Sequence, residues 1–252
     1  MAQGPKLSLI VITKNEEAAI GRCLASVPCA DEIIVVDSGS SDRTVEIAES
    51  LGAKVIATSD WPGFGPQKQR ALDLAQGEWV LSLDADEWLE PEAIAPLQAA
   101  MAAADAMAYR ISRRSRFCGH IINHSGWSPD YVTRLFRRGQ GRFSDDLVHE
   151  RIIIDGPLRT AAFRIEHDSI TSRTDAEDKI VRYATAAAAQ MFSRGKRVYP
   201  GKAALRGWTA FIKSYILRSG FRDGAAGWDV ADYNRRYTYE KWRRLAELRR
   251  GA

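Results

Sequence analysis

Short apolar runs alternate with helically spaced stretches through the first hundred residues. Residues 7–13, Leu-Ser-Leu-Ile-Val-Ile-Thr, form a run of strand length rich in Ile. Residues 16–26 follow with Ala19, Ile20, Cys23 and Leu24 at helical spacing. A second apolar run, 32–37, ends on Asp37. Asp42 then reads as an N-cap for a helix over 44–51, and Gly52 as its stop. Residues 54–58 predict a third strand, and a turn-rich stretch over 59–66 precedes a helix over 67–76. A fourth strand covers 79–84, and Pro91 opens a helix reaching to about residue 104. Short strands alternating with helices predict βαβ units and a mostly parallel, Rossmann-like α/β sheet flanked by helices. Right-handed crossovers would put every strand's carboxyl end on one edge, where open α/β sheets bind ligands.

The pattern changes after residue 105. Residues 107–114 and 131–137 alternate as strands do, and 158–166 predicts another; 175–193, 202–219 and 228–249 read as helices. The expected organisation is therefore an α/β domain over 1–170, in two halves 1–104 and 105–170, and a helical, basic extension over 171–252. Of the 252 residues, 45% are hydrophobic and 27% charged, enough to build a core and unlike a disordered chain. The longest clean apolar run, 7–12, is far short of the ~20 residues that span a bilayer. No secretory signal pattern is visible, and Cys23, Cys29 and Cys118 are scattered without metal spacing. A reducing, cytoplasmic setting is the expectation. The net charge of +4 divides unevenly: residues 1–100 hold 7 Lys and Arg against 16 Asp and Glu, and 101–252 hold 29 against 16. A basic half suits nucleic acid, anionic lipid or a phosphorylated substrate, and charge alone does not choose among them.

Four polar clusters fall just past predicted strand ends: Thr13-Lys14-Asn15-Glu16, Asp37 through Asp42, Gln67-Lys68, and Asp84-Ala85-Asp86-Glu87. Each alone is an ordinary loop or helix cap. Together they would line one edge of one sheet, the expected ligand crevice. Asp84 and Asp86 stand two apart at a strand end, where extended backbone would point both carboxylates the same way. A hard divalent ion shared with a phosphorylated substrate would relieve their repulsion. No Gly-x-Gly-x-x-Gly follows the first strand and no P-loop occurs, so dinucleotide oxidoreductases and P-loop enzymes lack their phosphate cradle. The cysteines and four histidines form no zinc pattern.

Leu-Ser-Leu-Ile-Val-Ile-Thr-Lys-Asn-Glu-Glu, Glu-Ile-Ile-Val-Val-Asp-Ser-Gly-Ser-Ser-Asp-Arg-Thr and Gly-Glu-Trp-Val-Leu-Ser-Leu-Asp-Ala-Asp-Glu resemble the family 2 glycosyltransferases, which have the GT-A fold. The segment 126–138, Val148-His149-Glu150 and Tyr-Ile-Leu-Arg-Ser-Gly-Phe-Arg-Asp-Gly at 215–224 resemble the subgroup that includes lipopolysaccharide core β-1,4-glucosyltransferases. The resemblance implies an inverting transfer of a hexose from a nucleotide sugar, UDP-glucose favoured, to an envelope glycan or glycolipid, with Mg²⁺ or Mn²⁺. It implies that Thr13, Asn15 and Glu16 meet the nucleotide, that Asp37 holds base or ribose, and that Lys68 faces the nucleotide. Asp84 would touch ribose or metal, Asp86 would be the principal metal ligand, and Glu150 the base.

The chemistry is consistent with those roles. The departing diphosphate needs cations beside it, and one-step inversion needs a base on the opposite face of the sugar. Asp145 and Asp146 are rival bases, and only the resemblance selects Glu150. His167 is a structural residue, a metal ligand or a diphosphate contact. Arg134 is a salt-bridge residue or a contact to diphosphate or acceptor. Trp61 and Trp127 either stack on sugar rings or simply pack, with packing favoured for each. A related transferase with another donor and acceptor, or a silent nucleotide-sugar-binding scaffold, are the alternatives. No aromatic and basic recognition motif supports nucleic acid. In the helix over 202–219, Ala204, Leu205, Trp208, Phe211, Ile212, Tyr215 and Ile216 share an arc, with Lys202, Arg206 and Lys213 to one side. That pattern fits a helix packed on the protein and also one lying on an anionic membrane. The resemblance to an envelope-glycan subgroup favours peripheral contact with the inner face of the cytoplasmic membrane.

Overall fold

The computed structural model describes residues 6–103, 106–144 and 151–251. They fall into two compact units, Met1–Arg113 with Asp130–His167, and Arg114–Pro129 with Asp168–Ala252.

The first unit is built on four parallel strands, β1 (Leu7–Thr13), β2 (Glu32–Asp37), β3 (Lys54–Ala57) and β4 (Trp79–Asp84), in the spatial order β3-β2-β1-β4. Helices α1 (Ile20–Ala25), α2 (Thr44–Ser50) and α3 (Phe64–Leu74) make the crossovers. All seven residues of β1 are buried, because neighbours flank it on both edges and helices cover both faces. Leu7, Leu9 and Val11 pack with Ile20 and Leu24 of α1, Ala48 of α2 and Leu97 of α4 (Ile94–Ala102). Ile10 and Ile12 point the other way, into a layer with Ala71 and Leu72 of α3. Each such buried side chain contributes about 1.5–3 kcal/mol.

Beyond β4 the sheet continues through β8, β6, β11 and β5. The later strands are β5 (Glu87–Trp88), β6 (Ala108–Phe117), β7 (His120–Ile121), β8 (Asp130–Arg137), β9 (Gly141–Phe143), β10 (Ile152–Ile154) and β11 (Leu158–Ile170). β8 runs antiparallel to both β4 and β6, and β5 antiparallel to β11. Strand order reverses at β1, with β2 and β3 on one side and β4 on the other. Such a reversal opens a crevice at the carboxyl ends of β1 and β4. Register sets Thr13 beside Asp37 and Ile12 beside Asp84 there. The four parallel strands with helices on both faces are the α/β core expected from the alternating pattern, and the strands beyond β4 extend it with antiparallel pairs.

The second unit carries β7, paired with the end of β6, and α5 (Arg173–Ser193), α6 (Lys202–Ile212) and α7 (Gly224–Arg250). Ser172 caps α5, its Oγ accepting from Asp175 N at 3.0 Å. α7 packs against both α5 and α6. Gly207 permits the α6 contact, since a Cβ there would lie 3.2 Å from Arg235 O and Tyr239 Cβ. Among the described residues no helix is long and apolar enough to cross a membrane.

Several boundaries depart from expectation: α3 begins at Phe64 rather than 67, β11 runs on to Ile170, and α7 begins at Gly224 rather than 228. α1 starts at Ile20, not near residue 16, because Asn15 takes φ +56° and Glu16 O accepts from Ala19 N and Ile20 N in a tight turn. The helix expected over 202–219 ends as α at Ile212 and widens to a π turn over Lys213–Leu217, where Arg218 N donates to Lys213 O at 2.9 Å.

Candidate active site

Two loops at the crevice are stitched to each other. Asn15 N donates to Ser40 Oγ and Asn15 Oδ1 accepts from Ser41 N, both at 2.8 Å. Glu16 N donates to Thr44 Oγ1 at 2.7 Å. Asp37 is buried, and its Oδ2 accepts from Gly39 N and Ser40 N at 2.8 Å while its Oδ1 accepts from Ser40 Oγ. The carboxylate therefore shapes its own loop. Thr13 is buried, and its hydroxyl has no hydrogen-bond partner among the described residues, although its carbonyl accepts from Ser38 N at 2.9 Å. Gln67 links the second loop to the third, donating to Ser38 Oγ at 3.0 Å and Thr58 Oγ1 at 2.7 Å.

Next to these loops lies a chain of alternating charges. Lys68, 2% exposed, sets its Nζ 2.7 Å from Asp84 Oδ1. Arg134, on β8, reaches Asp84 Oδ2 and also Glu87 Oε1 at 2.9 Å. Glu87, completely buried, accepts from Arg113 at 2.9 Å and, through Oε2, from Asp84 N at 3.0 Å. Arg113 ends on Asp130 at 2.8 Å. Three cations and three carboxylates alternate, so no charge in the chain lacks a counter-charge. Burial by itself would raise the Asp84 carboxyl. Arg134 and Lys68 overcome that and hold it well below the usual carboxylate range. The Cys23 thiol on α1 donates to Asp84 O at 3.4 Å, and burial together with the carboxylates of Glu87, Asp86 and Asp84 pushes it up, so it stays a thiol.

Asp84 and Asp86 do not act as the parallel pair that extended backbone would give. β4 ends at Asp84, residues 85–86 form a turn, and β5 begins at Glu87. Asp84 consequently faces Lys68 and Arg134, whereas Asp86 Oδ2 sits 3.4 Å from His167 Nε2. Pairing of β5 with β11, with Glu87 opposite His167, brings those two together. Among the described residues no three His, Cys, Asp or Glu side chains are grouped to hold a metal ion. Asp86 and His167 supply one oxygen and one nitrogen, which suits a divalent ion completed by substrate phosphate better than one caged by protein.

Thr13, Asn15, Glu16, Asp37, Lys68, Asp84, Asp86, Arg134 and His167 thus all fall in the first unit. Glu150, with Asp145, Asp146 and His149, lies outside the described residues. Trp127 packs on Phe117 with ring centroids 6.0 Å apart, and Trp61 meets Phe64 edge-on at 4.9 Å. Sequence reasoning missed Glu87 as the hub and Arg113 and Asp130 as its far end. The available signal was charge inside strand patterns: Glu87 directly follows the Asp-x-Asp and Arg113 sits in an alternating run.

Comparison with known proteins identifies the family. The chain is 31% identical over 233 residues to the lipopolysaccharide core biosynthesis glycosyltransferase LpsC of Rhizobium meliloti (strain 1021), covering 88% of this chain and 84% of that protein. It is 30% identical over 257 residues to an uncharacterized glycosyltransferase of Rickettsia typhi (strain ATCC VR-144 / Wilmington), covering 97% and 87%. Among solved structures it is similar to glucosyl-3-phosphoglycerate synthase from Mycobacterium tuberculosis in complex with Mn²⁺, UDP and glucosyl-3-phosphoglycerate. The identity is 27% over 45% of each chain, with a TM-score of 0.38. Residues 8–160 match the sequence model of glycosyl transferase family 2. The chain is a glycosyltransferase and belongs to that family.

Proposed function

We propose that the protein transfers a hexose, with inversion, from a nucleoside-diphosphate sugar to a lipopolysaccharide core or related envelope glycan. UDP-glucose is the favoured donor. The observation that carries this reading is the charged end of the crevice, where Lys68 and Arg134 flank Asp84 and Asp86 stands beside His167. The family and the name of the Rhizobium relative support the acceptor class.

In this reading Thr13, Asn15, Glu16 and the Asp37 loop receive the nucleoside. Asp37 acts by holding Gly39 N and Ser40 N in place. Asp84, ionised by its two cations, fixes Lys68 and Arg134 next to the diphosphate position. Asp86 and His167 would hold Mg²⁺ or Mn²⁺. Such an ion, when bound, neutralises charge that develops on the departing diphosphate. Glu150 takes the proton of the acceptor hydroxyl. The acceptor is a glycan or glycolipid met at the inner face of the cytoplasmic membrane, where the enzyme works as a peripheral protein.

The test is a panel of nucleotide sugars scored for binding and hydrolysis with and without a chelator. UDP-glucose is expected to bind best and to lose most of its turnover when divalent ions are removed. Chelator-insensitive turnover would reject the metal role. Preference for another sugar would replace the donor.

A further inference from the structure

α6 turns one side toward the rest of its unit and leaves another uncovered. Gly207, Phe211 and Ser214 are its buried positions. At 100° per residue, Leu205, Trp208 and Ile212 fall in an adjacent sector, and they are 56%, 57% and 49% exposed. The apolar surface continues through the π turn with Ile216 at 53% and Leu217 at 74%, and onto α7 with Trp228 at 53%. Trp228 stacks edge-on against Phe211 at 4.9 Å and Tyr215 at 5.3 Å, so the two helices form one surface. Scattered exposed apolar residues need no explanation. A contiguous set with two tryptophans does.

Charge identifies what covers it. Residues 202–222 contain five basic residues, Lys202, Arg206, Lys213, Arg218 and Arg222, and no Asp or Glu. Arg206 and Lys213 are exposed and fall in the helical sector next to the apolar one, away from Gly207 and Phe211. At the start of α7, Asp223 is buried against His124 and Asp229 lies 3.9 Å from Arg173. Apolar residues with tryptophan, bordered along α6 by cations, match the region of a bilayer where acyl chains meet anionic headgroups.

We infer that the exposed face of α6, the π turn and the start of α7 docks on an anionic bilayer surface. This deepens the peripheral membrane role proposed above by naming the surface that performs it. Its test needs neither donor nor acceptor, so its failure leaves the transferase assignment untouched.

The full chain is mixed with vesicles of phosphatidylcholine alone and with added phosphatidylglycerol, and sedimented at low and high salt. Binding is expected only with the anionic lipid and is expected to fall at high salt. Replacing Arg206 and Lys213 by Gln should weaken it about thirtyfold, the effect of two basic groups near the surface. Leu205→Ser with Trp208→Ser should weaken it at least tenfold, with circular dichroism and the unfolding midpoint checking that each variant is folded. The inference is overturned if the native chain ignores anionic vesicles at low salt, or if both folded variants bind as the native chain does. It is equally overturned if sedimentation shows a dimer that the Trp208 variant dissociates while vesicles capture nothing, because the face then joins two copies.

Discussion

Asp84 is a carboxylate between two cations, and that fixes how its contribution depends on pH. Arg134 and Lys68 hold its folded-state carboxyl below the unfolded value of about 3.9, against the burial that would raise it. The stabilisation is therefore complete above that value and is lost as pH falls below it. Urea midpoints are expected to drop steeply below about pH 4 in the native chain and less steeply in Asp84→Asn, which has no carboxyl there to protonate. Parallel profiles would contradict the ion pairs. Glu87 carries the larger structural load, since removing it takes one of two carboxylate partners from both Arg113 and Arg134 and leaves a buried hole between them. Glu87→Ala is expected to cost about 3–5 kcal/mol in urea unfolding, the range for breaking a buried ion pair from one side. For Glu150, replacement by Gln is expected to keep donor affinity and lower turnover about 10²–10⁴-fold. Finding that signature in Asp145→Asn or Asp146→Asn instead would move the base to the neighbouring pair.

At the scale of elements, the second unit depends on close backbone approaches. Gly227 lies in the first turn of α7, and a Cβ there would fall 1.8 Å from Gly220 O. Alanine would gain about 1 kcal/mol in helix propensity. That gain cannot offset the clash, because the obstacle is main chain and must move as a whole. Gly227→Ala is expected to destabilise by about 1–3 kcal/mol, measured by urea unfolding. Gly251, where a Cβ would meet Glu247 O at an ordinary 3.8 Å, supplies the control; its alanine variant should stay within about 0.5 kcal/mol of the native chain. The same packing selects which side of α6 is buried. Gly207 and Phe211 turn inward, and the sector holding Leu205 and Trp208 is left outside.

For the whole molecule, donor binding and folding are linked. A ligand that binds only the folded chain, at about 100 times its Kd, stabilises it by about 2.7 kcal/mol. UDP-glucose with Mn²⁺ is expected to raise the unfolding midpoint accordingly, and both chelation and Asp86→Ala to remove most of the increase. Without donor, Asp86→Ala should unfold within about 1 kcal/mol of the native chain, since its pair with His167 is partly exposed. An equal donor effect in native chain and variant would remove Asp86 from the site.

Much of this was legible in the order of residues. β1, β2 and β4 read as continuous apolar runs because a strand buried on both faces has no polar alternation to obscure it. The polar clusters at their ends follow from the same physics, since a chain leaving a buried sheet at its carboxyl edge must become polar. Those two facts place Thr13, Asp37, Asp84 and Asp86 at the carboxyl edge of the sheet, whereas Lys68, inside α3, follows no such run. Tertiary structure decided their partners. Arg113 meets Asp130 only because β6 and β8 pair in one antiparallel register, and residues 17 apart carry no local sign of it. Asp86 meets His167 only because β5, two residues long, pairs with β11. Divergence of Asp84 from Asp86 depends on a turn that replaces the extended backbone at residue 85. Periodicity along a chain records which positions are buried, because burial acts on each residue separately. Which charge neutralises which depends on the register between distant strands, and that exists only once the sheet has formed.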